Sequence, residues 1–320
     1  MAGDEWLGRI LSDKYRLERR LGSEPLGLAY AARQESTGTR HRVLLLRSAG
    51  TGDAEIGRIY ADRSAATVLR HPRIIRTTDV GVESGQPFVV SDLVEGISLT
   101  RWLARRHREA ELHIAGWLRD VAAALDWAHQ QGIAHLGLQP DSIVIRDGDL
   151  VALVGDFGYP IGTLDAPVVS APEYSAPEQW RRDRALIGPA SDVYMVAAIL
   201  FELVAGQLPF GRGARAMRGH LDRPVPRLQE LRPDLESAPQ FDRVLNSGLA
   251  KSPSERPETV SALVDAFTDV LDKATANRAP RSHHATSVAD VSRSRLRVDP
   301  ILVGGVLIAL SLAALWLVGR

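Results

Sequence analysis

The chain has 320 residues, of which 45% are hydrophobic and 24% are charged, a composition that excludes a disordered, collagen-like or wholly coiled-coil protein. Lysine plus arginine and aspartate plus glutamate each number 39, so no net charge draws the molecule to nucleic acid. No cysteine is present, which excludes disulfides and thiolate metal sites. Any charged partner must therefore be recognised by a local part of the surface.

The first part of the chain favours β-strands. Tyr15 to Leu17 and Leu28 to Ala32 flank a turn that contains glycine, and a second turn at residues 36–39 precedes an apolar run at residues 43–46. Short apolar runs bounded by such turns are typical of neighbouring strands. We predict a small, mostly β lobe over residues 12–95.

A helical period takes over from Ile97 to Lys273. The run from Val193 to Ala205 is apolar nearly all round and follows Ser191, a residue type that favours helix N-caps. We therefore expect a helix that is capped by Ser191 and buried at the centre of this lobe. The larger, helical lobe is predicted over residues 96–272.

The C-terminal residues predict a membrane anchor. Residues 301–319 (ILVGGVLIALSLAALWLVG) carry no charge, and a helix of this length would span roughly 28 Å, close to the hydrocarbon thickness of a bilayer. Between Asn277 and Val298 there are five arginines and one acid, so the positive-inside bias predicts a single-pass protein of the cell membrane with a cytoplasmic N-terminal domain. We interpret residues 273–300 as a flexible, basic juxtamembrane linker that contacts membrane lipid.

Small residues recur every four positions within the predicted membrane helix, at Gly305, Ala309 and Ala313. This spacing lets two helices approach closely in a bilayer. The sequence therefore leaves open a homodimer formed through these residues.

Five short motifs follow one another in the helical lobe. They are GIAHLGLQPDSI at 132–143, GDFG at 155–158, SAPEQ at 175–179, SDVY at 191–194 and ERP at 255–257, and the glycine-containing LGSEPLGLAY at 21–30 precedes them. The series resembles the bacterial Ser/Thr protein kinase family over about residues 12–272. The resemblance implies an α+β, bilobal, protein-kinase-like fold with a small β-rich N-lobe and a large helical C-lobe, here followed by one C-terminal transmembrane helix.

The same resemblance gives structural roles to five residues. His135 and Phe157 match stacking members of an internal spine that joins the lobes. Glu178 and Arg256 match the partners of a buried ion pair at the base of the activation segment. Asp192 matches the acid that hydrogen-bonds the catalytic-loop backbone. The scaffold of the family is therefore expected to be complete.

The catalytic loop departs from the family pattern. In the family, an aspartate two residues after the histidine orients the substrate hydroxyl, a lysine neutralises the γ-phosphate and an asparagine holds a second magnesium ion. The chain has Gly137, Gln139 and Ser142 at these positions. Since glycine cannot accept a proton, and general-base assistance is worth roughly 10² to 10⁴ in rate, we predict that the chain has no catalytic residue and is not an enzyme.

The strand that carries the phosphate-anchoring lysine in the family is altered as well. Depending on the register, Leu46 or Arg47 takes the place of that lysine, and the alanine of the adenine pocket falls at Leu44 or Leu45. The helix glutamate that pairs with the lysine in the family falls at Asp62. We expect the bulk of these leucines to oppose binding of the adenine ring.

The phosphate loop carries a further change, because Glu24 stands at its middle glycine. A carboxylate there would repel a triphosphate. No lysine lies between Lys14 and Lys251 to compensate. A vestigial nucleotide site is all that we predict, formed by Gly22, Gly27, Arg47 and Asp156.

We interpret the chain as a membrane-anchored pseudokinase that acts as a cytoplasmic docking or regulatory platform in bacterial signalling or cell-envelope control. Expected partners are cytoplasmic signalling proteins, among them phosphothreonine-binding domains and active kinases. We expect no cofactor and assign no metal ligand. The alternative is an atypical or residual Ser/Thr protein kinase that binds Mg-ATP weakly through Asp156 and Arg47.

Overall fold

A computed structural model of the chain describes residues 4–24, 27–46, 64–104, 108–157 and 171–278. The predicted β-rich N-lobe is confirmed, and its described strands form one antiparallel sheet. Its neighbouring strands are consecutive along the chain except that the last two are exchanged. The strands are β1 (Ile10–Leu11), β2 (Tyr15–Glu24), β3 (Gly27–Gln34), β4 (Arg40–Leu46), β5 (Thr77–Glu83) and β6 (Gln86–Asp92), in the order β1-β2-β3-β4-β6-β5.

β4 lies inside this sheet and buries both of its faces. Val43 and Leu45 pack with Tyr30 and Phe88 on one side of the sheet. Leu44 and Leu46 pack in a second apolar cluster on the other side. The alternation follows from the period of two along a strand, and it decides which β4 side chains face the cleft between the lobes.

The C-lobe is mainly helical, as predicted, and also contains a small antiparallel sheet beneath the cleft. That sheet consists of β7 (Gly96–Ser98), β8 (Ile143–Arg146) and β9 (Ala152–Val154). The described helices are α1 (Leu99–Ala104), α2 (Arg108–Gln130), α3 (Pro177–Arg181), α4 (Pro189–Ala205), α5 (Ala214–Asp222), α6 (Leu228–Leu231), α7 (Ala238–Gly248) and α8 (Val260–Arg278).

α4 is the buried central helix that the apolar run predicts, but it begins earlier than expected. Gly188 is its N-cap and Pro189 its first residue, a position that suits proline because the ring fixes φ and no N–H is needed there. Ser191 lies inside the first turn, where its hydroxyl accepts a hydrogen bond from the Gly188 N–H and donates one to Glu178. The prediction that Ser191 caps the helix was therefore wrong by one turn.

α8 continues to Arg278, so the predicted linker boundary at residue 273 falls inside a helix. Lysine and alanine at positions 273, 274 and 276 are strong helix formers, which explains why the helix does not stop where the apolar period ends. Among the described helices, none is both long and apolar enough to cross a membrane. The predicted span at residues 301–319, with Gly305, Ala309 and Ala313, lies outside the described residues.

A buried ion pair ties α3 to the loop that precedes α8. The Arg256 guanidinium donates to both oxygens of Glu178, at 2.7 and 2.8 Å, and the two side chains are 0% and 1% exposed. Arg256 also donates to the carbonyls of Ala190 and Ala250. Both charges are hydrogen-bonded to each other, so removing either side chain would leave the other as an unpaired charge in the core.

Removing the cation of this pair should destabilise the whole C-lobe. We expect Arg256→Met to lower the free energy of unfolding by about 3 to 5 kcal/mol, because Glu178 would be left as an unpaired buried charge. Urea denaturation measures the loss. Arg146→Met is the matched control, since Arg146 pairs with Asp149 at the surface and should lose less than about 1 kcal/mol. Equal losses in the two variants would contradict this account.

Candidate functional site

Three charged side chains meet in the cleft between the two lobes. Asp156 follows β9, in a left-handed backbone conformation with φ of 60°. Nη1 of Arg42, on β4, lies 3.1 Å from Oδ1 of Asp156, while Nη2 of the same guanidinium is bonded to Glu24 at the end of β2. The exposed fractions of the Arg42 and Asp156 side chains are 19% and 16%. A single arginine thus bridges Glu24 of the N-lobe and Asp156 of the C-lobe.

The strand register explains how Arg42 enters the cleft. Arg42 pairs with Ala31 on β3 and with Ser91 on β6. Its side chain therefore lies on the same face of β4 as Leu44 and Leu46, two and four residues further on. Those two leucines are buried, so the guanidinium is the polar end of an otherwise apolar stripe.

Burial and charge act against each other in this group. Desolvation raises the pKa of Glu24, and the nearby Arg42 charge partly opposes that rise. Burial alone would lower the pKa of Arg42, but the Asp156 and Glu24 carboxylates outweigh it and the pKa of Arg42 is raised. The guanidinium is therefore charged throughout the physiological range.

Asp192, at the start of α4, fixes the backbone of the catalytic loop. Its two oxygens accept hydrogen bonds from the N–H groups of His135 and Leu136, at 2.7 and 2.8 Å. The His129 ring also contacts this carboxylate at 2.7 Å. Leu136 has a φ of 60°, a conformation that costs energy in a non-glycine residue and persists because Asp192 holds it.

His135 and Phe157 lie beneath the cleft. The centroids of their rings are 4.7 Å apart, and the His135 Nε2 atom lies 2.8 Å from the carbonyl oxygen of Gly155. His135 is completely buried. The two rings, tilted by 51° to each other, thus connect the catalytic loop to the segment that carries Asp156.

The three altered loop positions occupy ordered backbone. Gly137 is buried, and its N–H lies 3.3 Å from Nδ1 of His135. Ser142 is buried and closes a short 3-10 turn with Gln139. The side chain at Ser142 is too enclosed to reach solvent, and Gly137 adds no group to the cleft.

The two predicted phosphate-loop glycines differ in how much room a side chain would have at each position. A Cβ at Gly27 would lie 1.8 Å from the carbonyl oxygen of Leu45, so close strand packing alone demands glycine there. A Cβ at Gly22 would meet nothing within 4 Å. The packing of the strands therefore explains why glycine stands at position 27, without any need for a ligand.

Arg42 is the residue that sequence reasoning missed. The predicted substitute for the lysine, Arg47, lies outside the described residues, as do Asp62 and Gly158. Leu44 and Leu46 are in the apolar cluster of the sheet. Because side chains alternate between the two faces of a strand, the residue two positions before Leu44, Arg42, lies on the same face. This alternation was the signal in the sequence that points to Arg42.

Comparison with known proteins gives the family. The protein kinase domain model matches residues 15–268. The chain is 31% identical over 277 residues to the Ser/Thr protein kinase pkn3 of Myxococcus xanthus, covering 81% of this chain and 50% of that protein. It is 32% identical over 286 residues to PknD of Mycobacterium tuberculosis, covering 86% and 41%.

Solved structures agree with this fold. The kinase domain of Mycobacterium tuberculosis PknI superposes with a TM-score of 0.68 at 28% identity, covering 82% of this chain and 98% of that structure. The chain therefore belongs to the protein kinase family, among the bacterial Ser/Thr kinases. It spans half or less of the length of the two curated relatives.

These findings contradict the prediction that the chain is not an enzyme, because the family and the curated relatives that it matches are Ser/Thr protein kinases. We therefore no longer hold that prediction. Gly137, Gln139 and Ser142 are departures within an enzyme family, and they define an atypical catalytic loop.

The family uses Mg-ATP, and Asp156 is the side chain whose chemistry fits a magnesium ligand. Its carboxylate is engaged by Arg42 in the arrangement found. A divalent cation would therefore compete with the guanidinium for this carboxylate, and displacing Arg42 would also weaken its contact with Glu24. Asp156 is thus the acid that would hold magnesium, and Arg42 competes with the metal ion for its carboxylate.

Arg42→Met should destabilise the protein in a way that depends on pH. Burial and the Asp156 and Asp141 charges would then raise the pKa of Glu24 without the opposing Arg42 charge, so this pKa should rise further. A carboxyl whose pKa is higher in the folded than in the unfolded state lowers stability as the pH rises. We expect a loss of roughly 1 to 3 kcal/mol at pH 7, and a smaller loss at pH 5, in urea titrations.

Arg16→Met is the matched control for this variant, because Arg16 pairs with Glu35 at the surface. Its loss should stay below about 1 kcal/mol at both values of pH. A loss in Arg42→Met that is no larger, or that grows as the pH falls, would refute the proposed balance of charges in the cleft.

Proposed function

We propose that the chain is a signalling protein of the bacterial Ser/Thr kinase family that docks and regulates partners, and that Arg42 keeps its nucleotide site closed. The observation that carries the proposal is the contact of one guanidinium with both Asp156 and Glu24. The arginine occupies the acid that would hold magnesium. Access of magnesium to Asp156 is therefore coupled to movement of the Arg42 side chain.

Electrostatics favours the closed arrangement. Arginine remains charged at every physiological pH, and here its single positive charge pairs with two partly buried carboxylates at once. A triphosphate entering with magnesium would have to displace Arg42 from Asp156 while the Glu24 carboxylate repels it. Mg-ATP should therefore bind weakly.

The intact scaffold supports a docking role. The Glu178–Arg256 pair and the Asp192 hydrogen bonds hold the loops of the C-lobe in place. None of these contacts involves the Gln139 side chain or depends on a side chain at Gly137. Surfaces that partners recognise can therefore be kept while the loop changes.

The second candidate function is an atypical Ser/Thr protein kinase that acts through Asp156. The observation that favours it is the similarity to pkn3 and PknD, both of which are named as Ser/Thr protein kinases. The two candidates differ in what they require of the cleft. The atypical kinase needs Mg-ATP bound at Asp156 in the wild-type chain, whereas the docking protein does not.

Thermal unfolding of the full chain with Mg-ATP separates the two candidates. We expect a small rise in Tm for the wild type, a larger rise for Arg42→Ala and none for Asp156→Asn. A ligand at a hundred times its Kd adds about 2.7 kcal/mol to stability, which sets the scale of the shift expected where nucleotide binds well. Each variant is compared with itself without nucleotide, so a change in basal stability does not enter. Arg76→Ala, which breaks an exposed pair with Asp92, is the control.

Transfer of radiolabelled phosphate is measured in the same preparations. A wild-type shift as large as that of Arg42→Ala, or label transfer that Asp156→Asn abolishes, would overturn the docking proposal in favour of the atypical kinase. If Arg42→Ala gained no shift, the arginine would not be what closes the site.

We also propose that residues 301–319 anchor this module to the membrane, with the lobes on the cytoplasmic side. The wild-type chain should then remain in the membrane pellet after alkaline carbonate extraction. Leu307→Arg with Leu310→Arg should release it, because each central arginine costs about 2.5 to 3.5 kcal/mol on insertion. Leu307→Ile with Leu310→Ile is the control. Retention of the arginine variant in the pellet would refute the anchor.

A further inference from the structure

A local excess of positive charge lies outside the cleft, on the C-lobe. Residues 181–187 and 212–222, which contain the end of α3 and all of α5, carry six arginines and two acids. The chain as a whole is neutral, so this is a marked departure from its average. We define the α3–α5 patch as Arg181, Arg182, Leu186, Arg215, Met217 and Arg218, all of which are exposed.

The two segments of the α3–α5 patch touch each other. The Arg181 guanidinium donates to the carbonyl oxygen of Leu221 at 3.1 Å, which fixes the end of α3 against the last turn of α5. Met217 and Arg218 lie one turn earlier on that helix, about 5 to 6 Å along its axis. Arg215 and Arg218 are three residues apart and therefore neighbours on one face.

Folding does not explain this arrangement. Among the described residues, Arg182, Arg215 and Arg218 form no salt bridge, whereas Arg212 nearby faces Glu173 at 3.9 Å. Like charges at helical spacing destabilise a helix slightly. The exposed fractions of Leu186 and Met217 are 47% and 37%, so apolar surface lies beside this charge.

We infer that the α3–α5 patch binds an acidic segment of a partner protein, with carboxylates on the arginines and an apolar side chain against Met217 and Leu186. The inference rests on the docking role proposed above and names its surface. Guanidinium groups bind carboxylates through two parallel hydrogen bonds. Arginine and methionine are both enriched in protein interfaces, which favours a protein partner over a lipid surface.

Binding of a short fluorescent peptide of alternating glutamate and leucine tests this assignment. The full chain is held in discs of phosphatidylcholine, and anisotropy reports the Kd. We expect Arg215→Glu with Arg218→Glu to weaken binding about tenfold, and the wild-type affinity to fall with added salt. Met217→Ser should weaken binding without changing the salt dependence.

Arg19→Glu with Arg243→Glu is the matched control, because both arginines are exposed, form no salt bridge among the described residues and give the same change of net charge. It should bind as the wild type does. A peptide with glutamine in place of glutamate should not bind. No binding of the acidic peptide, or equal weakening in the two double variants, would overturn the assignment.

The same proteins and peptide also test two other binding partners for the α3–α5 patch, a membrane surface and a second copy of the chain. If discs with phosphatidylserine abolish peptide binding to the wild type, the patch belongs to the membrane and the inference fails. If the wild-type chain self-associates in solution and Arg215→Glu with Arg218→Glu prevents it, the partner is a second copy and the inference also fails. The Mg-ATP response of this variant is measured in parallel, so failure of the patch leaves the nucleotide test of the proposed function intact.

Discussion

A carboxylate that is largely withdrawn from water needs a cation, and Asp156 sits in such a place between the two lobes. In the protein kinase family, magnesium bound with ATP satisfies the corresponding acid. Here the Arg42 side chain does so from within the same polypeptide. Because Glu24 shares the guanidinium, the phosphate loop, β4 and the end of β9 are held together by one positive charge.

The contacts that shape the C-lobe are independent of that charge. Asp192 holds the catalytic loop through backbone N–H groups, and Arg256 holds Glu178 through a fully buried pair. Backbone N–H groups are present whichever side chain follows, so Gly137 is accommodated without loss of the loop. The scaffold and the chemistry of a kinase can therefore vary separately.

The sequence predicted what depends on short-range pattern. Turn spacing predicted the β-rich lobe, and the apolar run predicted the central helix, although Gly188 and Pro189 moved its start. Arg42 was missed because its position depends on strand register, and a shift of one residue reverses the face on which a side chain lies. The α3–α5 patch was missed because it depends on contact between Arg181 and Leu221, forty residues apart in sequence.

Arginine has two opposite electrostatic roles in this neutral chain: one pairs with acids inside the fold, and others stay exposed on the surface. In the cleft, Arg42 has two acidic partners and little exposure, so its charge holds Glu24 and Asp156 together within the fold. On the α3–α5 patch, Arg215 and Arg218 are exposed and unmatched by any acid in the described residues. A charge that stabilises nothing within the molecule is the one that remains for an interaction with another. The same residue type therefore closes one surface of the kinase fold and leaves another ready to bind.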